Sequence, residues 1–89
     1  MKIIRKAVAG TLESSDALVE VGPGTGLAVE IESAVMAQFG DAIEKCVREV
    51  LAQFAVEGAT VRVTDRGALD CTIRARVEAA VKRAAKEDA

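Results

Sequence analysis

The sequence predicts a small α+β fold, and three features carry that prediction. Three short stretches alternate apolar and polar residues, as half-buried strands do. Two longer stretches space their apolar residues three and four apart, as amphipathic helices do. Their order is β-β-α-β-α, and 89 residues leave room for one domain spanning 1–89. Each element has a single apolar side, so both helices are expected on one face of a small sheet.

The chain opens on Met1-Lys2-Ile3-Ile4-Arg5-Lys6, too short and too charged for a secretory signal. Ala9 to Asp16 then reads as a polar loop ahead of the first regular element. Asp16–Val21 is the first expected strand, with Ala17, Val19 and Val21 on one side and Leu18 and Glu20 on the other. Gly22-Pro23-Gly24-Thr25-Gly26 breaks the chain, because glycine permits positive φ and proline fixes its own. These glycines match neither a P-loop nor a dinucleotide fingerprint, and no Lys-Ser/Thr follows them. Leu27–Glu32 alternates cleanly and is expected to form a β-hairpin with the preceding strand.

Ser33 is placed to cap the next helix, expected from Ala34 to about Val56. Its apolar stripe runs through Val35, Phe39, Ile43, Cys46, Val47, Val50, Leu51 and Phe54, and Gly58 is expected to stop it. On the opposite side Glu44/Arg48 and Lys45/Glu49 stand at i,i+4 spacing. Ala59–Thr64 alternates as a third strand, and Asp65-Arg66-Gly67 turns the chain. A last helix is expected from about Ala68 to Lys86, burying Leu69, Ile73, Val77, Ala80, Val81 and Ala84. The β-branched pair Thr72-Ile73 also suits a strand start there, but the longer helical period outweighs it. Asp70/Arg74 and Glu78/Lys82 are its i,i+4 pairs, and Lys82, Arg83 and Lys86 suit the negative end of the helix dipole.

Composition removes several function classes. Net charge is −2 and the two signs are interspersed, so no basic stripe is available for nucleic acid. No apolar run approaches the ~20 residues of a membrane span, and a cytoplasmic protein is expected. There is no histidine, so no Ser/His/Asp or Cys/His set can form. The two cysteines, Cys46 and Cys71, are too few for a typical zinc site and are expected to be reduced and buried. Glu30 and Glu32 are paired carboxylates, best read as the wet side of a strand. The chain is therefore expected to carry, bind or scaffold, with no catalytic residue and no metal.

Chemistry that remains lies in Thr11-Leu12-Glu13-Ser14-Ser15-Asp16. Two hydroxyls, Ser14 and Ser15, stand between two carboxylates. Such composition is ordinary for a turn. An exposed loop hydroxyl also suits modification by another enzyme, and an arm attached there would bring a bound acyl group to partner sites at high effective concentration.

Three stretches carry a resemblance. Ala7-Val8-Ala9-Gly10-Thr11-Leu12-Glu13-Ser14-Ser15-Asp16 resembles the N-terminal signature of the citrate lyase acyl carrier proteins, the gamma subunits of citrate lyase. Gln38-Phe39-Gly40-Asp41-Ala42-Ile43 and the run from Asp65 to Arg76 are similar to the same family, in the same order. The resemblance implies a carrier whose Ser14 is esterified through a phosphodiester to phosphoribosyl-dephospho-coenzyme A. It implies a hetero-oligomeric complex with alpha (transferase) and beta (lyase) subunits, to which acetyl and citryl thioesters are presented as citrate is cleaved to oxaloacetate and acetate. A transferase that forms the holo-carrier and an acetylating ligase are the further partners implied. The Asp-Ser-Leu motif of ordinary acyl carrier proteins is absent, and the strands do not suit their four-helix fold. The carrier (delta) subunit of malonate decarboxylase has a similar modified-serine segment and is the alternative. A third reading makes the chain an unmodified scaffold subunit whose Ser14 loop is only a turn.

Overall fold

The computed structural model describes residues 1–33 and 36–85. Its elements are β1 (Ala7–Gly10), β2 (Ala17–Gly22), β3 (Leu27–Ser33), α1 (Met36–Gln53), β4 (Ala59–Asp65) and α2 (Asp70–Ala85). The α+β class holds, and both helices lie on one side of a four-stranded sheet ordered β1-β2-β4-β3.

The period-2 pattern decides which side. Ala17, Val19 and Val21 of β2 and Ala59, Val61 and Val63 of β4 are buried beneath the helices. Glu20, Arg62 and Glu30 stand in register across the opposite, solvent-facing side. Glu30 and Glu32 are exposed there, and Arg62 Nη2 meets Glu32 Oε2 at 3.4 Å. The core is aliphatic: Ile43, Cys46, Val47, Val50 and Leu51 of α1 and Ile73, Val77, Ala80, Val81 and Ala84 of α2 close over the sheet.

Strand pairing departs from the sequence expectation. The strand beginning at Ala17 does not form a hairpin with the one beginning at Leu27. β4 lies between them, antiparallel to β2 and parallel to β3. The expected turn at Gly22–Gly26 is instead a crossing over the end of β4, where Gly26 O accepts from Ala59 N at 3.0 Å. Two strand spacings are ~9.6 Å, within reach of a four-residue connection at up to ~3.5 Å per residue. Central placement buries β4 fully on its inner side, which a local hairpin would not. β2 finds its hairpin partner upstream in β1, a strand absent from the sequence expectation. Apart from Val8, Ala-Val-Ala-Gly is made of residues depleted in strands, so pairing with β2 is what makes it one.

Helix boundaries also shift. Residues 34 and 35, the expected first turn of the long helix with Val35, lie outside the described residues. Ser33 ends β3, and its Oγ donates to Asp65 Oδ2 at 2.8 Å. α1 ends before Gly58. Ala55 takes the left-handed conformation (φ 53°), Ala55 N donates to Ala52 O, and Val56 N donates to Leu51 O at 2.9 Å. This is a Schellman closure made by alanine, with Val56 and Leu51 both in the core. The expected Lys45–Glu49 pair gives way to Glu49 with Arg74 of α2 (3.3 Å); Glu44–Arg48, Asp70–Arg74 and Glu78–Lys82 form as expected.

Two apolar residues expected in the core are not there. Phe39 is 51% exposed and Leu69 is 71% exposed. Leu69 precedes α2, and its carbonyl accepts from Thr72 N and Ile73 N, so its side chain projects beyond the helix. Lys86 lies outside the described residues. The cysteines differ as well. Cys46 is buried, but Cys71 is exposed, since a two-residue step from Ile73 turns it to the far side of α2. Burial, reinforced by the Asp70 carboxylate, pushes the Cys46 thiol up to about 11. In folded protein a thiol reagent at pH 8 is expected to titrate Cys71 alone, with Cys46 reacting only after denaturation. Two thiols reacting at one fast rate would refute the burial argument.

Candidate functional site

β1 and β2 form a hairpin, and residues 11–16 are its connection. Gly10, the last residue of β1, pairs with Leu18 at φ +96°. A side chain is excluded there, because a Cβ on Gly10 would stand 1.8 Å from the Ala17 carbonyl oxygen. The chain leaves this tight closure into a loop whose residues 11–15 are all exposed.

Asp16 organises the loop. Its carboxylate accepts from Arg76 Nε at 3.0 Å and Arg76 Nη2 at 2.9 Å, a bidentate fork from α2. Thr11 Oγ1 donates to Oδ2 at 2.6 Å, and Ala17 N donates to Oδ1 at 2.7 Å. The Arg76 guanidinium above all, then the Thr11 hydroxyl and the Ala17 amide, hold this carboxyl well below the usual carboxylate range. The same fork raises the affinity of Arg76 for its proton. Thr11 Oγ1 also accepts from Glu13 N, and Asp16 N donates to Glu13 O, so the loop is tied to itself.

A second clamp joins the loop to the β4–α2 connection. Ser15 N donates to Arg66 O at 2.8 Å, and Arg66 N donates to Asp16 O at 2.9 Å. Asp65 fixes that connection from below: it is buried, accepting from Ala68 N at 2.9 Å and from Ser33. Between the two clamps stands Ser14. Among the described residues its hydroxyl has no hydrogen-bond partner. Ser15 differs, because its backbone is committed to Arg66 and held at φ 65°.

The structure thus brings Ser14, Ser15 and Asp16 together as the sequence suggested, but with different duties. Asp16 is a strut and not a neighbouring acid for the serines. Arg76 and Arg66 were not singled out by the sequence reading. They lie 60 and 50 positions downstream of Asp16, within the third family-like stretch, where only the fold reveals what they touch. Among the described residues no cluster of His, Cys, Asp or Glu is arranged to hold a metal ion, and no helix is long and apolar enough to cross a membrane.

The Asp16–Arg76 strut gives a pH dependence with a definite sign. The folded-state pKa of Asp16 lies below its unfolded value of ~3.9, so its stabilisation is fully present above that value. It is lost as pH falls through the folded-state pKa. Asp16→Asn is expected to lower the melting temperature at pH 7, and the gap to wild type is expected to narrow as pH drops below about 4. Parallel melting curves from pH 7 to pH 2.5 would refute the strut.

Known proteins resemble this chain over nearly its full length. The chain is 56% identical over 89 residues to citrate lyase acyl carrier protein 2 of Salmonella typhimurium, covering 98% of this chain and 92% of that protein. It is 56% identical over 87 residues to the citrate lyase acyl carrier protein of Haemophilus influenzae, with the same coverage. The chain belongs to the citrate lyase acyl carrier protein family. Membership makes it an acyl carrier subunit and implies a covalently attached prosthetic group. A third member, from Klebsiella pneumoniae, is 57% identical over 83 residues, covering 91% of this chain and 86% of that protein.

A family model described as malonate decarboxylase delta subunit (MdcD) matches residues 4–84. The fold itself recurs in a chain of the crystal structure of a Pseudomonas malonate decarboxylase hetero-tetramer in complex with malonate. The TM-score there is 0.80 at 18% identity, over 91% of this chain and 84% of that one. The same sheet and helices therefore recur in that chain where most side chains differ.

Proposed function

We propose that this chain is the carrier subunit of a cytoplasmic citrate lyase, acting over its whole length as one carrier domain. Ser14 Oγ is the attachment point, through a phosphodiester, for phosphoribosyl-dephospho-coenzyme A. The observation that carries the proposal is the Ser14 hydroxyl: exposed, unpaired among the described residues, and held at the tip of a hairpin clamped from both sides. The residues fit such a group. A nucleophilic oxygen faces outward, and Arg66, whose backbone pairs with Ser15 and Asp16, has an exposed side chain with no carboxylate partner among the described residues.

When attached, the group supplies a thiol on a long arm that can hold an acyl group as a thioester. The chain's own residues do three things. The Asp16–Arg76 fork fixes the loop against α2, so the serine reaches a transferase without the hairpin fraying. Ser15, held by Arg66, keeps Ser14 foremost. The aliphatic core supplies a stable platform, so that only the arm moves between partner sites. Those partners are the alpha and beta subunits of the lyase, the holo-carrier-forming transferase and the acetylating ligase, assembled as a hetero-oligomer for citrate cleavage to oxaloacetate and acetate.

Intact mass and peptide mapping on protein isolated from its native complex test the proposal. One added phosphoribosyl-dephospho-coenzyme A on the peptide holding Ser14 is the expected result; an unmodified chain in an active complex would sink it. A malonate decarboxylase complex is the second reading, favoured by the description of the matching family model. Lyase-type alpha and beta subunits co-purifying with the chain would exclude it, and decarboxylase subunits would establish it.

A further inference from the structure

Beside the Ser14 loop lies an apolar groove of about 420 Å³. Phe39, Ala42 and Ile43 of α1 form one wall, and Ala68, Leu69 and Ile73 form the other. Its location follows from the sheet register. The row Ala17–Asp65–Ser33 marks one end of the sheet, where β1 ends, β2 begins and both β3 and β4 finish. The described start of α1 follows β3 by three positions, and α2 begins five residues beyond β4, at this same end. The groove therefore opens at the end that presents Ser14. Arg66 joins the two: its backbone pairs with Ser15 and Asp16, and the next residues, Gly67 and Ala68, line the groove.

We propose that this groove holds the adenosine portion of the arm carried on Ser14, with Arg66 pairing the phosphate that links the two. The inference rests on the attachment reading above and deepens it. Polarity along the surface matches polarity along the arm. Next to the serine oxygen comes a phosphate, and next to Ser14 the exposed cation unpaired among the described residues is Arg66, since Arg76 is committed to Asp16. A single pentose then separates the phosphate from adenosine. On the protein side, one residue step of ~3.8 Å separates Arg66 from the groove rim. Adenine has apolar faces and an amino group that donates. The groove offers the half-exposed Phe39 ring for stacking and, at its rim, the exposed Asp70 carboxylate as an acceptor, while Asp65 is buried and already engaged by Ala68 N and Ser33 Oγ. Among the described residues no cation lines the groove to meet the arm's diphosphate, which leaves adenosine as the portion whose chemistry suits the site. A short tether gives a high effective concentration, so weak intrinsic affinity suffices. Anchoring the base of the arm leaves the pantetheine end free to travel.

The test uses holo-protein from the native complex, with loading of Ser14 first established by intact mass and peptide mapping. Isotope-edited NMR is expected to show cross-relaxation from adenine H2 and H8 to side-chain protons of Phe39, Ile43, Leu69 and Ile73. Amide shifts between apo- and holo-protein are expected at 42–43 and 66–69. Leu69→Asp leaves the core untouched, because Leu69 is 71% exposed, and is expected to abolish these contacts at unchanged melting temperature. In the wild-type chain the Arg66 guanidinium signal is expected to shift between apo- and holo-protein, and Arg66→Gln is expected to weaken the adenine contacts. With Ser14 loaded, shifts confined to 12–16, or contacts made only by the pantetheine methyls, would overturn the groove assignment and leave the carrier reading standing. A chain without an arm on Ser14 overturns both.

Discussion

Ser14→Ala is expected to abolish attachment of the prosthetic group and all activity of the assembled lyase, while leaving the fold intact. The physical reason for the clean separation is that Ser14 supplies nothing to the structure: it is exposed and its hydroxyl is bonded to no described residue. Exposed substitutions of that kind change stability by less than about 0.5 kcal/mol. Loss of function is nonetheless expected to be complete, since the one neighbouring hydroxyl, that of Ser15, belongs to a residue whose backbone is tied to Arg66. Ser15 is the control. Its hydroxyl is one residue away, but its backbone is turned to φ 65° and tied to Arg66, so Ser15→Ala is expected to retain attachment. Mass spectrometry of chains co-expressed with their transferase reads both variants. A Ser14→Ala chain that still gains the arm would move the site to Ser15; one that gains none and still supports citrate cleavage would end the carrier assignment.

Gly10→Ala is expected to be the most damaging single-methyl change near the site. Two costs combine. A non-glycine residue at φ +96° carries strain of about 1–3 kcal/mol. The added Cβ also stands 1.8 Å from the Ala17 carbonyl oxygen, so the backbone of the hairpin must open. Gly67 separates the terms. It sits at φ +86°, but a Cβ there meets nothing within 4 Å, so Gly67→Ala bears the strain alone. For a domain of this size each 1 kcal/mol lowers the melting temperature by about 4–8 °C. Gly10→Ala is therefore expected to melt well below Gly67→Ala and to be loaded more slowly at Ser14. Equal melting temperatures would mean that the hairpin yields without cost, and that Ser14 is not held as tightly as the clamps imply.

Local pattern made much of the molecule legible. Val61-Arg62-Val63, Leu27 to Ile31 and the stripe from Ile43 to Leu51 have periods that admit one kind of element each, so the class and the face of each element could be read directly. The Ser14 loop was legible for a different reason. Its residue types suit an exposed turn, and its likeness to a carrier family singled out one hydroxyl. Phe39 and Leu69 misled the same reasoning. They satisfy the helical period, yet each lies at an element's beginning, where the partner helix and sheet no longer extend far enough to cover it.

What the sequence alone determined was therefore the α+β class and the inward faces, because these depend on spacing within a few residues; it offered the candidate serine through likeness to a carrier family. Tertiary structure alone decided the rest. It chose β1 over β3 as the partner of β2, since burying β4 at the centre outweighs a local turn. It brought Arg76 to Asp16 and Arg66 to Ser15, contacts between residues at least 50 positions apart. A hydrogen bond's worth depends on where its partners arrive, and arrival is fixed by the packing of α2 on the sheet.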